Sequence, residues 1–534
     1  MQVCRANFDA VLPELKELLR TCDFYAIDQE MTGISVPTSE GTESPLATLE
    51  QVYPAKRAAA QRYNGFQIGI CTYHTEASAG GKPVFAARPF NFWLCNRGNS
   101  ADDVQLSMSA IEFLLGNSMD FQYWLREGLS YANDAKVDRL STSMAVDAAS
   151  VKQRATADEL EWADAAFERV SAWYKNAPVQ DDGTPAPLTA DFTHLSATAD
   201  AALFYRLQDG GVNVNAVPDL LARVPAWKRS ATTFTRAEST DANATAHTRA
   251  VNAAADNIRR SLGFREVWDV LVELKGKPQL GHNYSSDLMF LEAMHGAALP
   301  ETFGGFLETV HSHFPRIVDT KTLAAHISVG APFVSTSLEP LYQALEGLPD
   351  TPFSIRLPLG FESYSPAVIR KAPRGSQLAV AHQGAYDAFM TGVVYLHFLL
   401  REPERTAKLE NLVSVFGSAF TFRLGSAASN AEEILPGAFY VLKRPPLLGR
   451  RQIDASLRTE EELGLSDIER RKTPAPFALW SCPESSWLFV LHLKPGNEDR
   501  VEKLPPGVVA TPLQRWLSEG APKGAKMARA EASR

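Results

Sequence analysis

Cysteine is scarce in this 534-residue chain, with five copies that are odd in number and scattered along the sequence: Cys4, Cys22, Cys71, Cys95 and Cys482. None of them forms a Cys-x-x-Cys pair. A disulfide framework and a zinc site are therefore both poorly supported. This usage is natural in a reducing compartment, so we expect residence in the nucleus, the cytoplasm or both.

Long apolar runs are also lacking. No stretch of about 18 uncharged apolar residues occurs, which is the length that a membrane-spanning helix needs. The longest candidate, Val393–Leu400, is too short and contains His397. The opening MQVCRANFDA is too polar for the core of a signal peptide. We therefore predict no membrane span and no membrane partner.

Positive charge is in deficit, because 53 Lys and Arg residues face 62 Asp and Glu residues, for a formal net charge of −9. A protein that coats nucleic acid through broad electrostatics needs the opposite sign, which argues against a histone-like or repressor-like role. An enzyme that grips only a short 3′ end remains compatible with this charge, since bound metal ions offset its own carboxylates.

The composition that is present, 45% hydrophobic with nine Trp, is typical of a globular protein too long for one ordinary core. Strand-like and helical patterns mix before residue 135 and again after Gly263, whereas Ala, Thr and Asp dominate between them. Thr156-x-x-Glu159 is a capping box that predicts a helix there. The predicted organisation is an α/β domain in two parts (1–139 and 263–405), a helical insert (140–262), a small β-rich C-terminal domain (406–519) and a disordered tail (520–534).

Asp28 and Glu30 lie in a strand-like segment, where residues two apart point to the same face. The preceding FYAI is apolar, so two adjacent charges are costly there unless they are paired or bind metal. With 62 acidic residues, an acid-x-acid pattern also arises by chance. The strand context is what favours a functional pair.

A second motif is GHNYSSDLMFL at 281–291. We expect a strand to end at Gly281, and Asn283 and Asp287 to share one helix face because they are four residues apart. In isolation, Asp287 is explained equally well as a first-turn acid that favours the helix dipole.

The third motif is HQGAYD at 382–387. In a continuous helix, His382 and Asp387 would lie about 140° apart around the axis. They converge only if His382 precedes the helix, and Gly384 makes such a turn possible. Taken alone, a histidine before a helix is more often structural, and a helix Asp is more often solvated.

Together the three motifs are more specific than their parts. Four carboxylates with hard oxygens suit Mg²⁺ or Mn²⁺ rather than zinc. Two such ions about 4 Å apart can activate a water and stabilise the leaving 3′ oxygen of a phosphodiester. A histidine near neutral pKa is suited to take the proton from that water.

The order Asp-x-Glu, Asn-x3-Asp, His-x4-Asp resembles the four-acid exonuclease superfamily, in the branch where a histidine precedes the last acid. More narrowly, the chain resembles the poly(A)-specific ribonuclease family and its piRNA-trimming relative over most of residues 1–400 outside the insert. The segments beyond the acids that carry this resemblance include NFDAVLPEL, GFQIGICTY, IEFLLGNSMDFQYWLREGLSYAN, FPRIVDTKTLA and TSLEPLYQAL.

The resemblance implies an RNase H-like α/β fold, with a mixed central sheet flanked by helices. It implies a 3′→5′ exoribonuclease that shortens poly(A) tails or oligoadenylated single-stranded RNA and releases 5′-AMP with two Mg²⁺ ions, for which Mn²⁺ substitutes. It also leaves a homodimer open. By position it implies a general base, His382, and four metal ligands: Asp28, Glu30, Asp287 and Asp387.

The same resemblance implies substrate contacts at Ile34, Ile111, Phe113, Asn283 and Lys321. Apolar side chains for bases and one cation for phosphate make chemical sense. For Ile111 and Phe113, which lie two apart in an apolar run, burial in the core is an equally supported interpretation.

The chain departs from the family pattern in places. Met31 stands where the family usually has an aromatic residue, which puts one base-stacking contact in doubt. The family's Arg-x3-His nucleic-acid-binding motif has no convincing copy in residues 140–262, so we interpret that module as a degenerate nucleic-acid-binding domain. The C-terminal domain lacks the aromatic-glycine signature of an RNA-recognition motif, and core packing is the favoured role for Trp480, Trp487 and Trp516.

Two alternatives stay open. One is a catalytically inactive RNA-binding or scaffold protein on the same fold, against which the complete set of acids argues. The other keeps the chemistry but trims other small RNAs or single-stranded DNA.

Overall fold

The computed structural model divides into two compact units, residues 1–131 with 264–534, and residues 132–263. It describes residues 1–36, 45–79, 81–96, 103–117, 119–144, 151–153, 155–181, 183–190, 197–214, 232–236, 256, 258–329, 333, 335–369, 383–425, 433–465, 476–482 and 487–519. His382 and the predicted tail at 520–534 lie outside these residues.

A mixed sheet is the centre of the first unit. Its strands are β1 (Gln2–Val3), β2 (Phe24–Met31), β3 (Gly65–Ala79), β4 (Lys82–Trp93), β7 (Gln279–Gly281), β8 (Ile317–Asp319) and β9 (Ser354–Arg356), while β5 (Leu188–Ala190) and β6 (Thr232–Phe234) belong to the second unit. The strand order is β1-β4-β3-β2-β7-β8, with β9 also paired to β4. Strands β2, β3 and β4 form an antiparallel meander, and β7 and β8 add in parallel beyond β2. This arrangement confirms the predicted RNase H-like α/β class.

Helices cover both faces of this sheet, as expected when strands connect in parallel. In chain order the helices of the first unit are α1 (Phe8–Thr21), α2 (Leu49–Arg62), α3 (Met108–Gly116), α4 (Phe121–Glu127), α8 (Arg265–Glu273), α9 (Ser285–His295), α10 (Phe303–His313), α11 (Thr320–His326), α12 (Leu338–Glu346), α13 (Pro366–Ile369), α14 (Gly384–Arg401), α15 (Pro403–Lys408), α16 (Arg450–Ser456), α17 (Glu460–Gly464) and α18 (Leu513–Glu519), with α5 to α7 in the second unit.

The alternation of β2 assigns each helix layer its face. Tyr25 and Ile27 pack with α1, α8, α9 and α10 on one side, whereas Phe24 and Ala26 pack with α12 and α14 on the other. Because side chains two apart share a face, Asp28 and Glu30 continue the Phe24–Ala26 side, toward α14. The sheet therefore brings both acids to the helix that carries Asp387.

The C-terminal part is rich in β-structure, in keeping with its short β-like runs. Strands β10 (Leu412–Ser414), β11 (Phe420–Arg423) and β12 (Glu433–Ile434) form one antiparallel sheet. Strands β13 (Ala438–Lys443), β14 (Phe477–Ser481), β15 (Leu488–Leu493) and β16 (Val509–Pro512) form another, in the order β14-β15-β13-β16. Val413, Phe420 and Phe422 belong to the same core as α9 and α10.

The second unit contains helices α5 (Asp134–Met144), α6 (Ala157–Asn176) and α7 (Ala197–Asp209) and the two-stranded sheet of β5 and β6. The predicted capping box is present: the Thr156 hydroxyl accepts from the Glu159 N–H at 3.3 Å, and the Glu159 carboxylate accepts from the Thr156 N–H at 2.7 Å. Ala163 and Val170 of α6 are buried, in a small core with Phe204 and Phe234.

Two expectations from composition concern the whole chain. All five cysteines are buried and none is in a disulfide. Within the described ranges, no helix combines the length and the apolar content that crossing a bilayer requires.

Candidate active site

Three of the predicted acids come together on the α14 side of the sheet. Asp28, Glu30 and Asp387 each offer a carboxylate oxygen, and these three oxygens all lie within 4.8 Å of one another. Asp28 and Glu30 come from one strand, whereas Asp387 comes from a helix more than 350 residues away in sequence. Folding thus builds a cluster of oxygen ligands of the kind that hard divalent cations prefer.

Asp387 is positioned by the start of α14, which lies directly on the sheet. Gln383 caps this helix without a side-chain hydrogen bond. Instead, Gln67 of β3 accepts from the Gly384 N–H at 2.9 Å, and Asn91 of β4 accepts from the Ala385 N–H at 3.1 Å. Both polar side chains are buried. They satisfy two of the amide groups that a helix N-terminus leaves without partners.

Gly69 makes this close approach possible. It pairs with Asp28 across the β2–β3 ladder. A Cβ at Gly69 would lie 1.9 Å from the carbonyl carbon of Gly384, a distance at which atoms overlap. A Cβ at Gly384 would lie 2.8 Å from the Gly69 amide nitrogen. The helix and the strand therefore touch backbone to backbone at two glycines, next to Asp28.

Asp287 approaches from the first turn of α9, on the other side of the sheet. Strand β7 pairs with β2 only as far as Ala26. Beyond that point Asp287 Oδ1 accepts from the Gln29 N–H at 3.0 Å, and the Gln29 side-chain amide donates to the Asp287 carbonyl at 2.8 Å. Asp287 is buried beside the cluster, although it does not belong to the group of three that share the 4.8 Å limit.

Burial and mutual repulsion disfavour the ionised form of the carboxylates in this cluster. The pKa of Asp28 is raised well above its usual value, by burial first and then by Asp387, Asp287 and Glu30. The pKa of Glu30 is raised by burial, Asp387 and Asp287. Burial raises the pKa of Asp287 to about 8, although the Gln29 N–H favours its charged form. A divalent cation would offset this repulsion, so the donor set fits such an ion.

Asn283 corrects one prediction. It was expected to share a helix face with Asp287, but α9 begins only at Ser285 and Asn283 adopts a left-handed conformation with φ of 59°. Asn is among the few non-glycine residues that tolerate this region, which the chain needs here to turn from β7 into α9. The buried Asn283 Oδ1 accepts no hydrogen bond from the described residues.

Asp319, which sequence reasoning missed, holds this turn. Its buried carboxylate accepts from the N–H groups of Asn283 at 2.9 Å, Tyr284 at 3.3 Å, Lys321 at 2.9 Å and Ser414 at 2.9 Å. Two of the predicted substrate contacts, Asn283 and Lys321, are thus bound to one side chain. The signal in the sequence was weak, because Asp at the end of a strand before a helix is most often a simple N-cap.

The remaining predicted contacts lie near the end of β2. Ile34 is 52% exposed, and Phe113 on α3 is 47% exposed, so the core interpretation is wrong for Phe113. Ile111, on the same helix, is half-buried. The Ser107 N–H donates to the Thr32 carbonyl at 2.8 Å, which brings the start of α3 beside the segment that carries Ile34.

The tryptophans of the C-terminal part also differ in burial. Trp480 and Trp516 pack against a core, in keeping with the favoured interpretation, whereas Trp487 is 43% exposed. The Arg444 guanidinium lies over the Trp487 ring, 5.0 Å from its centroid.

Comparison with known proteins assigns the chain to a family. The model of the CAF1 family ribonucleases matches residues 3–395. The chain belongs to the CAF1 ribonuclease family. Among curated relatives, the poly(A)-specific ribonuclease PARN of Danio rerio is 24% identical over 424 residues, covering 74% of this chain and 59% of the relative. PNLDC1 of Mus musculus, also named a poly(A)-specific ribonuclease, is 26% identical over 474 residues, covering 84% of this chain and 82% of the relative.

These relatives confirm the resemblance inferred from the motifs. Against the PARN proteins of Danio rerio and Xenopus laevis, the chain spans only 59% and 62% of their length. Among CAF1-type structures, Pop2p of S. pombe in its Mg²⁺- and Mn²⁺-bound form aligns with a TM-score of 0.36 at 12% identity, over 78% of this chain and 98% of that one. That structural likeness is too weak to bear on function.

We predict that Gly69→Ala lowers nuclease activity while the chain still folds. The added methyl must displace the start of α14, and a shift of about 1 Å in a catalytic group costs on the order of 100-fold in rate. Overpacking of this kind also destabilises by roughly 1–3 kcal/mol. The measurement is nuclease rate together with urea unfolding. Gly276→Ala is the matched control, because a Cβ there meets no atom within 4 Å. Equal rates for the two variants would show that this contact does not position Asp387.

The raised carboxyl pKa values predict a pH-dependent stability in the absence of metal. In the folded chain Asp287 stays protonated up to about pH 8, whereas its ordinary pKa is 3.8. The folded state therefore binds more protons within this window, and the free energy of unfolding falls as the pH rises from 4 to 8. Thermal unfolding in EDTA at several pH values measures this slope.

Asp28→Asn removes one repelling charge and should flatten that slope, and it should reduce the stabilisation that Mg²⁺ gives at pH 8. Asp499→Asn, at an exposed position, is the control and should behave as the parent. A stability that does not change with pH in EDTA would contradict the assigned electrostatics.

Proposed function

We propose that this chain is a 3′→5′ exoribonuclease that shortens poly(A) tails or oligoadenylated single-stranded RNA and releases 5′-AMP. The observation that carries the proposal is the convergence of Asp28, Glu30 and Asp387, with Asp287 beside them. Membership of the CAF1 ribonuclease family and relatives named poly(A)-specific ribonucleases support it.

The proposed cofactor is a pair of Mg²⁺ ions, with Mn²⁺ able to substitute. Asp28, Glu30, Asp287 and Asp387 would hold them, since carboxylates are the ligands of hard divalent cations. Such ions supply an activated water and stabilise the charge on the leaving 3′ oxygen. The raised pKa values of Asp28, Glu30 and Asp287 mean that binding of the ions would release protons, so affinity would weaken toward acidic pH.

The protein side chains would divide the remaining work. His382, outside the described residues, is the proposed general base that takes the proton from the attacking water. Ile34, Ile111 and Phe113 would contact bases through apolar surface. Asn283 and Lys321 would contact the 3′ nucleotide. The first would do so through its Oδ1, which accepts no hydrogen bond within the part of the chain that the structure describes, and the second through its positive charge on a phosphate.

The proposal extends to the compartment, the oligomeric state and the domains of the chain. We propose that the chain acts in the nucleus, the cytoplasm or both, and that it can form a homodimer. Residues 140–262 would be a degenerate nucleic-acid-binding module inserted between 1–139 and 263–405. Residues 406–519 would form the C-terminal domain.

We predict that Asp28→Asn abolishes Mg²⁺-dependent shortening of an oligoadenylate. Loss of one preorganised charge in an active site commonly costs 10²–10³-fold in rate, so we expect a decrease of more than about 100-fold. The readout is the ladder of products from end-labelled RNA on a gel. Asp499→Asn should shorten the substrate at the parental rate.

Substrate class is tested with the same preparation. Labelled poly(A), poly(U) and single-stranded DNA compete in one reaction, and poly(A) should be degraded first. Equal rates would remove the adenylate preference while leaving the nuclease assignment. Undetectable hydrolysis with either Mg²⁺ or Mn²⁺, together with retained RNA binding, would instead favour an inactive RNA-binding protein.

A further inference from the structure

Phe416 is an aromatic residue that the mechanism above does not use. It lies in the turn between β10 and β11, and 61% of its surface is exposed. The ring belongs to none of the hydrophobic clusters formed by the described residues. An exposed ring forgoes the favourable free energy of burial. Where the surrounding structure holds such a ring in place, its exposure indicates a binding site.

The turn that carries Phe416 is well anchored. The Ser414 N–H donates to Asp319 Oδ2 at 2.9 Å, and the Ser414 and Thr322 hydroxyls lie 2.8 Å apart. The Ser418 N–H closes the turn on the Val415 carbonyl at 3.2 Å. Three hydrogen bonds therefore hold the chain on both sides of the ring, which reduces the entropy lost when a ligand stacks on it.

Asp319 connects this turn to the predicted substrate contacts. The same carboxylate that accepts from Ser414 also accepts from the N–H groups of Asn283 and Lys321. Asp319 is near enough to Asp287 to raise the pKa of that acid. The buried Asp319 side chain therefore links the turn of Phe416 to the residues proposed to bind the 3′ nucleotide, and it lies near Asp287 at the edge of the acidic cluster.

The charge beside the ring fits a nucleotide. The Lys321 ammonium lies 5.8 Å from the centre of the Phe416 ring, within the range of a cation–π interaction. An exposed aromatic ring next to a cation is the pattern with which proteins bind single-stranded nucleic acid, because the ring stacks on a base and the cation neutralises a phosphate.

We propose that Phe416 is a base-stacking residue of the substrate site, on which an adenine of the RNA 3′ end packs while Lys321 contacts the adjoining phosphate. This inference rests on the proposed exoribonuclease function and extends it by one specificity-determining residue. Stacking on a ring remote from the reacting atoms contributes equally to the ground state and the transition state, so it acts on KM rather than kcat.

The test compares Phe416→Ala and Phe416→Trp with the parent chain and with Leu359→Ala, a change at a position that is 92% exposed. Binding of a fluorescent oligoadenylate is measured by anisotropy with Ca²⁺ replacing Mg²⁺, and shortening is measured separately with Mg²⁺. Loss of one stacked base should weaken binding roughly 5- to 150-fold, as alanine substitutions of stacking residues do. Phe416→Ala should raise KM by a similar factor and leave kcat within about twofold.

Phe416→Trp should retain binding, and Leu359→Ala should match the parent. A substrate with 2-aminopurine near its 3′ end provides a readout that a purely structural role would not move. Stacking quenches this base, so its fluorescence in the complex should increase in Phe416→Ala and not in Leu359→Ala.

Parental affinity and KM in Phe416→Ala would overturn the proposal. The same holds if Phe416→Ala leaves RNA binding intact and instead lowers the sedimenting mass, because the ring would then contact a second copy of the chain. A parent chain that binds the oligoadenylate without shortening it would remove the proposed nuclease function, whereas the difference in affinity between parent and variant would still decide whether the ring stacks on a base.

Discussion

The backbone contact between Gly69 and Gly384 is the constraint on which the candidate site depends. It lets the N-terminus of α14 lie on β2 and β3, where Gln67 and Asn91 accept its first N–H groups. Any side chain at Gly69 would separate the helix from the strand and carry Asp387 away from Asp28. The acids are thus held together by steric fit and by neutral hydrogen bonds, not by attraction between the acids themselves.

This arrangement explains how a cluster of like charges survives in a folded chain. Burial is the main cause of the raised pKa values of Asp28, Glu30 and Asp287, and repulsion from neighbouring carboxylates adds to it, so ionising the cluster costs free energy. The free energy gained from the large hydrophobic core on either side of the sheet offsets this repulsion, and in the proposed enzyme bound divalent ions would reduce it. Electrostatic catalysis requires charges that are already in position before the reaction. Folding supplies the free energy that places these carboxylates, so they need not reorganise during the reaction.

Asp319 holds together the residues that are proposed to contact the substrate. Its carboxylate accepts from four backbone N–H groups, and these link the turn before α9, the start of α11 and the end of β10. Multiple backbone donors and the nearby charge of Lys321 favour the ionised form of this buried carboxylate. The Lys321 ammonium also lies beside the exposed ring of Phe416, where in the proposed enzyme it would contact a phosphate.

The resemblance of the sequence motifs to a known family implied the family and its RNase H-like α/β fold. Local patterns in the sequence predicted the strand that carries Asp28 and Glu30 and the capping box at Thr156. Those features are local, because they depend on side chains that alternate along one strand or follow one another along one helix. The left-handed turn at Asn283, the exposure of Phe113, and the roles of Gln29, Gln67 and Asp319 were decided by the tertiary structure alone. Most of them depend on backbone groups that lie from 35 to 317 residues away in the sequence, or on which side of a helix meets the core, and no local pattern records those distances.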